Sequence, residues 1–113
     1  MIRSDVYFVA YESNQGTEGY GTLCVNGASL TGGDGGYRYR GYVKSCGGIF
    51  RGRVAVTRVD PGAESIFGPV SRFELVISGR ADGKCLFFSG FVLGWPSLRV
   101  RFRLIPAARI AAE

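Results

Sequence analysis

The chain contains no histidine, which removes His-based triads, histidine general bases and His-ligated zinc. Lysine is scarce too: among the 14 basic residues only Lys44 and Lys84 are lysines, and neither stands in a motif that would make it a catalytic base. Cys24, Cys46 and Cys85 are odd in number, widely spaced and without a C-x-x-C pair. Neither a full disulfide framework nor a four-cysteine metal site follows from them, and a reducing, cytoplasmic setting fits best. Long apolar runs are missing. Val6 to Tyr11 is stopped by Glu12, shorter than a signal-peptide core and far below the roughly 20 residues of a membrane span. Proline-rich linkers, charge blocks and low-complexity segments are also lacking, so the expectation is a single β-barrel domain over residues 1–113.

What is abundant is glycine, 18 of 113 residues. Without a Gly-X-Y period it belongs to turns and bulges, and many turns imply many short strands. Asp5 to Tyr11 is rich in Val, Tyr and Phe and runs into a polar loop, reading as a first strand. Tyr20 to Val25 and Ala28 to Thr31 flank Asn26-Gly27, a type I′ hairpin signal. Tyr37 to Val43 and Ile49 to Val59 bracket Ser45-Cys46-Gly47-Gly48, and Asp60-Pro61-Gly62 turns the chain again. Arg72 to Ser78 alternates, with Phe73, Leu75 and Ile77 on one face. The last strand sets Leu98, Val100, Phe102 and Leu104 against Arg99, Arg101 and Arg103, which points those arginines at solvent or an acidic partner. Strands joined by short turns, with no convincing helix, predict an all-β fold: an eight-stranded antiparallel up-and-down barrel, lipocalin-like, closed on itself to remove its edges.

The expected interior, where an apolar ligand would lie, is bulky: Phe8, Phe50 and Val54, then Phe73, Leu75 and Ile77, then Phe87, Phe91, Val100 and Phe102. Bulk of this kind favours a filled or narrowly hollow barrel at least as much as a roomy one, and leaves the choice open. Lys84 to Leu93 is apolar on both faces. With Phe87 and Phe91 inside, Leu86, Phe88 and Val92 face outward and need a cover, either a symmetric partner subunit or a helical turn over 107–112, with the partner favoured.

Gly32-Gly33-Asp34-Gly35-Gly36 invites a phosphate-cradle reading. It lacks the P-loop pattern and a following helix, so a turn is the expectation. Tyr37, Tyr39 and Tyr42 interleaved with Arg38, Arg40 and Lys44 resemble a single-strand binder, but alternation separates most of the tyrosines from the cations, which weighs against nucleic acid. Carboxylates such as Glu12, Asp34, Asp60, Glu64 and Glu74 fall in loops or on a wet face. No enzyme, cofactor or metal is expected.

In order along the chain, Gly19-Tyr20-Gly21, Asn26-Gly27, Gly32-Gly33-Asp34, Tyr39-Arg40-Gly41 and Ser65-Ile66-Phe67-Gly68 resemble the small GrlR-like proteins, negative regulators of type III secretion. The resemblance covers Asp5 to about Pro106. It implies a lipocalin-like barrel with a hydrophobic interior, dimerisation, and repression by binding a helix-turn-helix transcriptional activator through a run of surface acids. Here the corresponding turn is Ser45-Cys46-Gly47-Gly48 and carries no acid, in a chain of net charge +5. A basic DNA-binding partner would be repelled at long range. The leading expectation is a non-enzymatic cytoplasmic binding or regulatory barrel, a homodimer that acts by occupying a protein partner. The runner-up is a carrier of a small hydrophobic ligand, such as a fatty acid, in the barrel interior.

Overall fold

A computed structural model of the chain describes residues 2–3, 5–65, 67 and 70–107. Its elements are β1 (Asp5–Ser13), β2 (Glu18–Asn26), β3 (Ser29–Gly33), β4 (Tyr37–Cys46), β5 (Ile49–Arg58), β6 (Arg72–Asp82), β7 (Cys85–Val92) and β8 (Trp95–Pro106). Each strand pairs antiparallel with the next, and β1 pairs with β8, closing the barrel. Among the described residues no helix is long and apolar enough to cross a membrane. The helical turn considered over 107–112 lies outside the described residues beyond Ala107, as do Ile66 and Gly68 of the resemblance motif.

The period of two places one face of every strand inside. In β8, Val100 and Leu104 are buried and Leu98 and Phe102 pack against the core, while Arg99, Arg101 and Arg103 are exposed. Leu104 is 1% exposed, the least of the large side chains. Phe88 and Phe102 stack at 5.0 Å and 7°, and Phe50 lies 6.3 Å from Phe88. Gly47 and Gly48 both take positive φ, 59° and 85°, between the paired Cys46 and Ile49, as a type I′ turn demands. At the β2–β3 hairpin the signal is displaced by one residue. Asn26 pairs with Ser29, so Gly27 and Ala28 are central, and only Gly27 has positive φ, as in a type II′ turn.

Two strands correct the expected facing. In β1 the inward side chains are Tyr7, Val9 and Tyr11, and Phe8 is 41% exposed on the outer wall. Both faces of β1 carry aromatics, and the tyrosines gain inside because Tyr7 donates to the Arg3 carbonyl at 2.8 Å and Tyr11 to Asp34 at 2.6 Å. In β7 the parity is the reverse of that expected. Leu86, Phe88 and Val92 are inside, whereas Phe87 and Phe91 are outside at 42% and 37% exposure. Gly79 on the neighbouring strand decides it: Gly79 pairs with Phe88, and a Cβ at Gly79 would stand 2.6 Å from the Phe88 ring. The glycine leaves the gap that the inward ring fills. An isologous interface built from Leu86, Phe88 and Val92 is therefore not available.

Phe88→Ala is expected to lower unfolding free energy by about 3–5 kcal/mol and Phe87→Ala by about 1 kcal/mol or less, measured by urea denaturation. Equal losses would contradict this facing of β7.

Candidate functional site

The barrel wall surrounds an interior cavity of ≈ 80 Å³. Of the residues expected inside, Val54, Phe73, Leu75, Ile77, Val100 and Phe102 line it, and Phe50 is buried against Phe88 without being part of the lining. Phe8, Phe87 and Phe91 do not, being on the outer wall, and Phe88, expected outside, is part of the lining. The space is almost wholly apolar except at one end, where Tyr11, Asp34, Tyr37 and Tyr39 gather.

Asp34 organises that end. It lies between β3 and β4, and its Oδ1 accepts the Gly36 and Tyr37 amides at 3.1 and 2.8 Å, an Asx-type turn. Its Oδ2 accepts the Tyr11 and Tyr39 hydroxyls, both at 2.6 Å. The rings have room because β2 presents glycine to them: Tyr11 pairs with Gly19, and a Cβ there would come within 2.6 Å of the Tyr11 ring. The described part of the connection from β5 to β6 leans over the same end. Tyr37 donates to the Val70 carbonyl at 2.6 Å, and Phe67 meets Phe73 edge-on at 5.5 Å.

Burial alone would raise the Asp34 pKa, but the hydrogen bonds from Tyr11, Tyr39, Tyr37 and Gly36 outweigh it and hold the carboxyl below its usual value. Burial and the bond to Asp34 push the Tyr11 phenol up to about 12 and raise Tyr39 as well. A carboxylate with both oxygens doubly engaged is a poor proton acceptor. The cluster acts as a clasp between β1, the β3–β4 turn and β4. In the sequence Gly32-Gly33-Asp34 stands out as a turn and as part of the resemblance motif, not as the centre of a polar cluster. The signal available was an aspartate two and three residues ahead of amides it can accept, and its tyrosine partners were hidden by the fold. Among the described residues no group of three or more His, Cys, Asp or Glu could hold a metal.

The second candidate region is the outer wall of β5–β8 and β1. Two shallow depressions of ≈ 750 and ≈ 830 Å³ adjoin there and share Glu12, Ile49, Ser78, Ser89 and Arg101. Register sets three outward rows across it: Arg80–Phe87–Arg103, then Arg51–Ser78–Ser89–Arg101, then Arg53–Val76–Phe91–Arg99. Arg101 reaches Glu12 at 2.7 Å, the one ion pair among the described residues. No protein-family model matches the chain, and no curated protein is significantly similar to it.

Asp34→Ala leaves two hydroxyls and two amides without their acceptor and is expected to cost about 2–4 kcal/mol. The native Asp34 pKa is depressed, so the unfolded chain binds more protons in acid. The advantage of wild type over Asp34→Asn is then complete above about pH 4 and shrinks as pH falls below it. The raised Tyr11 phenol acts in the opposite sense: its contribution holds below about pH 10 and is lost as pH rises further. Urea midpoints across pH check both limbs.

Proposed function

We propose that the chain is a non-enzymatic binding barrel that acts in the cytoplasm by occupying a protein partner from its outer wall, the regulatory mode implied by its resemblance to the GrlR-like proteins. The observation that carries this reading is the contrast between the two sides of β7. The inside is nearly filled, whereas Phe87 and Phe91 stand half-exposed among arginines. Apolar rings on an otherwise charged wall are the composition of an interface centre. Self-association through this wall is disfavoured, because two copies would set arginine against arginine. A homodimer would use the uncharged part of the outer wall of β1 and β2, where Val6 and Phe8 stand half-exposed opposite Cys24 and Thr22, away from Glu12 and Glu18 at the other end of that pair.

A second reading, a bound small apolar ligand, is favoured by the cavity between Phe73, Leu75 and Phe102. At about 10–15 Å³ per water-sized sphere, ≈ 80 Å³ suits a compact molecule and falls short of an unbent fatty-acyl chain.

Affinity purification of the tagged chain from its native cells is expected to recover a stoichiometric protein, and Phe87→Ser with Phe91→Ser to lose it by at least about tenfold. Repeated recovery of the barrel alone, with a small apolar molecule retained in native mass spectrometry, would replace the first reading by the second.

A further inference from the structure

The three outward rows share one pattern. In each, an arginine of β8 stands at one side, an arginine of β5 or β6 at the other, and small or apolar side chains lie between. On the β8 side these are Arg99, Arg101 and Arg103, and on the far side Arg53, Arg51 and Arg80. The floor between the two banks is Phe87, the pair Ser78 and Ser89, and Phe91 beside Val76. The wall is thus a trough parallel to β7 whose floor is apolar at both ends and carries two serines midway, between two cationic rims. Among the described residues only Arg101 has a carboxylate within ion-pair reach.

Dimensions follow from sheet geometry. Phe87 and Phe91 are four residues apart on β7, about 13–14 Å at the strand rise. The banks lie two or three strands apart, about 10–14 Å. An α-helix with its side chains is about 10–12 Å across, and residues seven or eight apart on one face are about 11–12 Å apart. A helix laid along the trough can rest an apolar stripe on both rings while side chains on each flank meet an arginine bank. Carboxylates suit those flanks, each able to accept a guanidinium fork.

Resting on the proposal that a protein partner is occupied, we infer that this trough docks an acidic amphipathic helix of that partner, with carboxylates on both sides of an apolar stripe. A single-stranded nucleic acid fits less well. Its one phosphate backbone would engage one bank and leave the other unpaired. An acidic occupant also matches a chain of net charge +5.

Fluorescence anisotropy with a labelled peptide of about four helical turns, bearing a leucine stripe flanked by glutamates, tests this. Arg99→Glu with Arg103→Glu, and Phe87→Ser with Phe91→Ser, should each weaken binding at least about tenfold, and raising salt from about 50 to 500 mM should weaken it as well. Arg38→Glu with Arg40→Glu, exposed on β4, should change it by less than about twofold. Because every substituted side chain is on the outer wall, unchanged circular dichroism separates lost binding from lost fold. Equal binding of a scrambled peptide with the same charge, tighter binding of oligo(dT) of matched charge, or no peptide binding would overturn the inference. A partner recovered from cells whose capture ignores Arg99→Glu with Arg103→Glu would also overturn it while leaving the proposed function standing. Failure to recover any partner, with the peptide also unbound, would remove both.

Discussion

The pairing of β1 with β8 is the constraint on which the other features depend. It runs from Tyr7 opposite Pro106 to Ser13 opposite Val100. Once those strands are joined there is no free edge, and each strand has a dry and a wet side fixed by its neighbours on both flanks. A slip of one residue would carry Leu104 into solvent and an arginine into the core, so the ladder holds its register by burial as much as by hydrogen bonding. The same register aligns the outward arginines of β8 with Phe87 and Phe91, so closing the core and composing the outer wall are one event.

Within that frame the interior is shaped by rings set against glycine. Tyr11 is seated over Gly19 and Phe88 over Gly79. Large side chains cannot all point into a narrow eight-stranded barrel, and removing the facing Cβ is how space is found for those that do. The glycine content therefore serves two purposes. At Gly47 and Gly48 it supplies backbone conformation, and inside it supplies volume.

The architecture was legible in the sequence because alternation and turn chemistry agree along most of the chain. The clean case is β8, where arginine and apolar residues strictly alternate. The failures fall where both faces of a strand are apolar. In β7 the pattern of Leu86 to Val92 is compatible with either parity, and only pairing with Gly79 selects the inward set. In β1, Phe8 was favoured over Tyr7 and Tyr11, whose hydroxyls find acceptors only in the folded chain. The clasp at Asp34 was illegible for a related reason: its members come from β1, the β3–β4 turn and β4, and nothing in the linear spacing joins Tyr11 to Asp34. The arginine trough was half legible. The β8 bank could be read directly, and the opposite bank and the floor required the register of β5, β6 and β7.

Proton direction at the barrel mouth adds a consequence. Both phenols point their hydrogens at Asp34, so the oxygen lone pairs left over there can only receive, beside a carboxylate that stays ionised. A visitor to that end of the lumen is met by electron density and has no donor to bind from these three side chains. A hydrogen-bond donor would be matched to it, and an ionised carboxylate would meet a like charge.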